Sequence, residues 1–326
     1  MRLSARSGIA VPTPLAGIDN RNPIDTHRFR GHKLPLGCTR PTKMVRYLAG
    51  ITEAMTERST VESAEFDRLM EAYFEKHLPL PLRRPWVKSA LRKLTAVDEL
   101  RATLDGITGL TGFEAVDAII ERVGLSVSYE NCERIPPRGR LLVVANHPGG
   151  AADVFLMLQC LRRAREDVRV VINKLGPLLV PHITELCLAV DRYSRFDADA
   201  RTRISAALRQ EQAVILFPAG GISKPTLRGI RDHPWKHGAV HFVRDCRANL
   251  LPVHISGRSS LVFLSLPRKL RQALVAREMV HPVAQHITVR VGQPVPYGKL
   301  ADGDVEALTR RLREAVYALA RPRTPA

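Results

Sequence analysis

LLVVANHPGGAAD, residues 141–153, runs five apolar residues into an asparagine, a histidine, two glycines and an aspartate. Five apolar residues without a polar break suit a strand covered on both faces. The glycines turn the chain, and the stretch from residue 151 to about 165 reads as a helix. A buried strand, a tight turn and a helix are the unit from which α/β folds are built.

The same unit recurs outward from this point. Apolar runs at 168–172, 186–190, 213–217, 250–256 and 287–291 read as further strands, with a shorter one near Ser126 to Tyr129. Helical patterns fall between some of them, notably at 198–210 and 306–320. TGFEAVDAIIERVGL (111–125) reads as a helix closed by Gly124 as its C-terminal cap. The expected fold is α/β, a mostly parallel or mixed central sheet flanked by helices.

Upstream, the character changes. Residues 1–45 are proline-rich with little periodicity, and the first 46 residues carry nine Lys/Arg against two Asp. That composition is expected to form a flexible basic arm. Residues 46–110 form a helical N-terminal region: VESAEFDRLMEAYFEKHL (61–78) puts Phe66, Leu69, Met70 and Phe74 near one face. A break, LPLPLRRP, precedes a second helical stretch near Val87. The α/β domain then occupies 111–326.

The net charge of +18 over 326 residues points to a polyanion as partner. Aromatic residues make up only 5%, too few to interleave with the basic clusters as stacking platforms for nucleic acid. LRRARED (161–167) and LPRKLRQALVAR (266–277) alternate cations with aliphatics instead. They suit helices lying on an anionic membrane surface, or equally ordinary solvated faces, and the apolar stretch LGPLLVPHI (175–183) offers a further membrane contact by insertion. No apolar run reaches the roughly 18 residues of a spanning helix, and the first residues lack the apolar core of a secretory signal. Five cysteines stand without regular spacing, which fits a reducing compartment rather than a disulfide framework. The expected location is cytoplasmic, peripheral on the inner face of the membrane.

Polar and glycine-rich residues follow four strand ends, where ligands bind in such folds. They are Asn146, His147 and Asp153; Asp191 and Arg192; PAGGISKP (218–225); and GRSS (257–260). A strand-end histidine whose ring is held by a carboxylate can take a proton from a hydroxyl as general base, although a histidine beside an aspartate is more often structural. Gly149 and Gly150 would let the turn bring the pair together. No His or Cys stands three or four residues from His147, so a metal site is not expected. There is no Walker loop, no G-x-G-x-x-G and no G-x-S-x-G elbow. The glycines of FPAGGIS could cradle a phosphate or simply form a turn.

NHPGGAAD, KLGPLL…LAVDR, ILFPAGGIS and LLPVHISGR, in that order, resemble the four blocks of the glycerolipid acyltransferase superfamily. The similarity is strongest to its hemolysin-like or lyso-ornithine-lipid branch, which PWKHGAVHF and ITVRVGQPVPY also resemble. It covers roughly 111–320. The resemblance implies transfer of a fatty acyl group from an acyl thioester, on coenzyme A or acyl carrier protein, to the hydroxyl of a lysolipid. No bound cofactor and no metal are implied. By the same carry-over His147 is the base and Asp153 its partner, with amides near Gly149 and Gly150 as oxyanion donors. Arg192 matches the head-group arginine, Gly220 the third-block glycine and Pro252 the fourth-block proline beside the acyl chain. Asn146 and Gly221 join the expected substrate contacts, and Ser223, Lys224 and Arg228 could supply head-group contacts or equally well be surface residues. Ala219 stands where the third block usually has glutamate, and five residues rather than four separate His147 from Asp153. A non-catalytic lipid- or membrane-binding relative of the same fold is the alternative reading.

Overall fold

The computed structural model describes residues 85–320 except 175, 191–197, 228, 258, 266–273 and 282–285, and also residue 68. The basic arm and the amphipathic stretch at 61–78 thus lie outside the described residues. Within the expected helical region the structure describes α1 (Pro85–Thr95) and α2 (Val97–Asp105).

The elements that follow are α3 (Gly112–Val123), β1 (Ser126–Glu130), β2 (Leu141–Ala145), α4 (Ala151–Arg162), β3 (Val168–Asn173), α5 (Gly176–Leu179), β4 (Cys187–Val190), α6 (Ala198–Arg209) and β5 (Ala213–Leu216). Then come a short ribbon, β6 (Lys224–Thr226) and β7 (Gly229–Arg231), α7 (Gly238–Cys246), β8 (Asn249–Ile255), α8 (Leu261–Ser265), α9 (Val275–Val280), β9 (His286–Val291) and α10 (Val305–Ala318). Gly124 closes α3 in the left-handed conformation at φ 70°, as a glycine C-cap does. The Asp304 side chain caps α10 by accepting from the Ala307 amide at 2.6 Å.

Seven strands form one sheet in the order β1-β9-β8-β2-β5-β3-β4. β8, β2, β5, β3 and β4 run parallel; β9 is antiparallel to β8 and pairs in parallel with β1. Alternation along β2 explains its unbroken apolar sequence. Leu141, Val143 and Ala145 enter a core shared with α2, α3, α4 and α9. Leu142 and Val144 enter a second core with α6, α7 and α10. Both faces are covered, and each fully buried Val or Leu contributes about 1.5–3 kcal/mol. The result is the expected mostly parallel, mixed sheet between helical layers.

This order decides what converges. β8, β2 and β5 are neighbours and parallel, so their carboxyl ends lie side by side. β4 stands at the sheet edge with β3 between it and β5, so the fourth strand end lies apart from the other three.

The LRRARED segment and the 175–183 run both engage the rest of the protein. Arg162 pairs with Asp117, Arg163 lies over the Tyr129 ring, and buried Arg165 grips Asp167 and three main-chain carbonyls. In the 175–183 run, Val180 and Ile183 are buried in the core beneath α3. No helix among the described residues is long and apolar enough to cross a membrane.

Candidate active site

The end of β2 is locked before the chain turns. Asn146 is buried and both arms of its amide meet Ile255: Nδ2 donates to the carbonyl and Oδ1 accepts from the amide, each at 2.8 Å. The side chain replaces the main-chain pairing that β2 loses where it leaves β8. Asn146, expected among the substrate contacts, therefore ties two strand ends together.

His147 comes next and is held by both main chain and ring. Its amide donates to Asp232 Oδ1 at 3.2 Å, and its carbonyl accepts from the Ser223 amide at 2.8 Å. The ring stacks on Phe217, which follows β5, with centroids 4.2 Å apart and planes 23° from parallel. Nδ1 lies 2.9 Å from Oδ2 of Asp153.

Asp153 owes its position to α4. That helix is apolar on nearly every side and is buried along its length, so its first turn carries the carboxylate into the interior at 0% exposure. Oδ2 also accepts from the Gly149 amide at 2.9 Å. Because Oδ2 is already an acceptor there, Nδ1 is the donor to it, and Nε2 holds the lone pair. Oδ1 has no partner among the described residues. Burial pushes the Asp153 carboxyl above its ordinary range, opposed by the bonds from His147 and Gly149.

The two glycines have separate reasons. A Cβ on Gly149 would stand 2.6 Å from Asp153 Oδ1, so the carboxylate can approach only a residue without a side chain. Gly150 sits at φ 65°, ψ −127°, a region that side chains exclude. The Gly149 amide, expected as an oxyanion donor, is committed to Asp153. No side chain caps the first turn of α4, whose amides follow directly.

The third-block residues form the adjoining wall. Ser223 is fully buried; besides its bond to His147, its hydroxyl donates to Asp232 Oδ1 at 2.5 Å. Asp232 Oδ2 accepts from Trp235 Nε1 at 2.8 Å, and its amide donates to Tyr317 at 2.7 Å. Gly220 turns at φ 61°, and a side chain there would begin 3.3 Å from the Lys236 ammonium. Gly221 adjoins it, half-buried, and Lys224 opens β6. Pro252 lies inside β8 opposite Val144, its ring against Gly292, and does not reach the mouth of the site. Arg192, Asp191 and Arg228 lie outside the described residues.

Behind this wall sits a polar cluster on the α10 side. His254 is buried, and its ring meets Tyr317 edge-on at 6.0 Å. Burial, then the nearby Arg290, lowers its pKa to about 4. Burial pushes Tyr317 up to about 12. Arg231 and Arg313 each stack over the Tyr317 ring.

Phe217, Asp232 and Lys236 were not singled out in the sequence. Phe217 stands inside the quoted third block, and the other two in and beside PWKHGAVHF, but nothing local reveals that they face His147 or Gly220.

A family model described as acyltransferase matches residues 72–320. The lyso-glycine lipid O-acyltransferase of Phocaeicola vulgatus is 25% identical over 223 residues, covering 65% of this chain and 79% of the relative. That of Bacteroides thetaiotaomicron is 25% identical over 222 residues, covering 65% and 81%. Among solved structures, the 1-acyl-sn-glycerophosphate (LPA) acyltransferase PlsC of Thermotoga maritima superposes with a TM-score of 0.41 at 15% identity, covering 86% of this chain and 96% of that one.

Proposed function

The chain belongs to the acyltransferase family, and we propose that it moves a fatty acyl group from an acyl thioester to the hydroxyl of a lysolipid, with His147 as general base. The observation that carries this reading is the 2.9 Å contact between His147 Nδ1 and Asp153 Oδ2. It leaves Nε2 as the basic atom, on a ring that is 15% exposed.

Nε2 takes the proton of the acceptor hydroxyl as its oxygen attacks the thioester carbonyl carbon. Asp153 stabilises the imidazolium that forms. The carbonyl oxygen gathers negative charge, and the positive end of α4, which no side chain caps, offers main-chain donors for it. Collapse breaks the carbon–sulfur bond, and the thiolate takes the proton back from Nε2 and leaves as the free thiol. An ester and a thiol result, and the imidazole is neutral again. No bound cofactor enters this sequence.

The two relatives named for lyso-glycine lipid favour an amino-acid-bearing lysolipid as acceptor over a lysophospholipid. Coenzyme A and acyl carrier protein present the same thioester, so either serves the chemistry. Cations for the head group remain on Lys224 and on Lys236 beside Gly220. Both lipid substrates partition into bilayers, and the +18 charge suits an anionic leaflet. The protein works as a peripheral enzyme on the inner face of the membrane.

The test is to incubate the protein with acyl-coenzyme A or acyl-carrier protein and a panel of lyso-aminolipids and lysophospholipids, reading products by mass spectrometry. An O-acylated lyso-aminolipid is expected. Binding of the lipids without any acylated product would leave the non-catalytic relative standing instead.

A further inference from the structure

We propose that the β6–β7 ribbon docks the protein on an anionic bilayer, with Leu227 at its tip inserted among the lipids; this rests on the membrane-surface reading above. Three large apolar side chains are strongly exposed among the described residues: Leu227 at 110%, Leu94 at 54% and Leu261 at 51%. Two of them share one corner, because Leu261 begins α8, which packs against β6. A leucine in a hairpin turn is unusual, since such positions favour Gly, Asn, Asp or Ser.

The ribbon has only three residues in each strand and would be marginal alone. Its base is nonetheless firmly held. Ser223 before it and Asp232 after it join through the 2.5 Å hydroxyl–carboxylate bond, and Asp232 is tied in turn to Tyr317. Thr226 closes the turn by donating to the Gly229 carbonyl at 2.7 Å. A rigid base thus presents an exposed leucine in the turn.

Charge and length fit a bilayer. Lys224 and Arg231 pair across the base of the ribbon, three residues or about 10 Å from the tip. Interfacial elements sink about 5–10 Å below the head groups, so a buried tip leaves Lys224 at the level of lipid phosphates, while Arg231 is held over the Tyr317 ring. The ribbon is a projection rather than a groove, and a fluid bilayer receives it without a matching cavity. It also starts beside the chemistry: the Ser223 amide bonds the His147 carbonyl, and Leu227 is four residues on, at most about 14 Å of extended chain. Insertion would hold the mouth of the site against the surface that holds its substrates.

The experiment compares wild type, Leu227→Ser and Leu227→Trp on vesicles of equal parts phosphatidylglycerol and phosphatidylcholine. Wild type should sediment with them. Leu227→Ser should bind about tenfold or more weakly, the loss of one buried leucine, while turnover of a monomeric short-chain lysolipid stays unchanged. Leu227→Trp should bind like wild type, and its added fluorescence should move to shorter wavelength with vesicles. Equal binding of the Ser variant and wild type, or an unmoved Trp spectrum, overturns the proposal but spares the membrane reading. A raised KM for acyl-carrier protein in the Ser variant, with vesicle binding intact, would make the ribbon a protein-docking element instead. Wild type that ignores the vesicles altogether defeats the membrane reading itself.

Discussion

Asp232 holds His147 by its main chain, not by its ring: the His147 amide donates to Asp232 Oδ1 at 3.2 Å, across 85 residues of sequence. The same carboxylate accepts from the Ser223 hydroxyl and the Trp235 indole. Three donors converge on two anionic oxygens, so one buried charge fixes the turn after β2, the third block and the Trp235 loop together.

Asp232→Asn should therefore cost both stability and rate. An amide has one acceptor oxygen, and at least one of the three donors would face its NH₂. One unsatisfied buried donor costs about 1–3 kcal/mol, and a small displacement of the base costs up to about a hundredfold in rate. Urea unfolding and turnover measured on the same preparation check this. Wild-type values in both would show that Asp232 does not position His147.

Asp153→Asn should separate stability from activity. The folded protein holds the Asp153 proton more tightly than the unfolded chain does, because burial raises its pKa. Its ionisation thus costs stability progressively as pH rises above about 4, and the cost persists at higher pH. Asparagine never ionises, so the variant should gain on wild type in melting temperature as pH rises above about 4, the unfolded carboxyl's range. Its turnover should fall about 10²–10⁴-fold, since the amide cannot stabilise the imidazolium. A melting-temperature difference that does not change with pH would contradict the burial argument.

His254 should make the fold acid-sensitive. It is surrounded by Arg290, Arg231, Asp232 and Tyr317, and its pKa falls from 6.5 to about 4 in the folded state. The unfolded chain takes up this proton first, so stability is lost as pH drops from about 6.5 to about 4, on the order of 3 kcal/mol. His254→Leu should flatten the stability profile in that window while leaving it parallel above it. Parallel profiles throughout would remove His254 from the acid response.

Much of this architecture was legible because apolar runs and glycines report burial and turning directly. β2, β8 and β9 begin and end within about a residue or two of the apolar runs that mark them, and Gly124 caps α3. The His147–Asp153 pair was legible for the same reason: a strand end, a glycine turn and a first helical turn leave little freedom in where the carboxylate goes. Asn146 and Ser223 resemble substrate contacts in the sequence because both are polar at strand ends. Yet strand ends have main-chain groups of their own to satisfy, and these side chains do that. The 175–183 run was expected to insert into lipid, since an apolar sequence does not say what covers it; α3 does. Asp232 was invisible because its partners are distant in sequence and its neighbours, Arg231 and His233, resemble an ordinary surface turn.

The step on which the rest of the chemistry depends is the transfer of the acceptor proton to His147. The direct measurement is single-turnover acyl transfer by His147→Ala and wild type, from one thioester donor to the lysolipid that wild type acylates, with far-ultraviolet circular dichroism and vesicle binding followed in parallel. The Ala variant should be slower by about 10²–10⁴, with fold and vesicle binding intact. A folded Ala variant that retains more than about half of the wild-type rate, where loss of a general base costs orders of magnitude, would contradict proton transfer to His147.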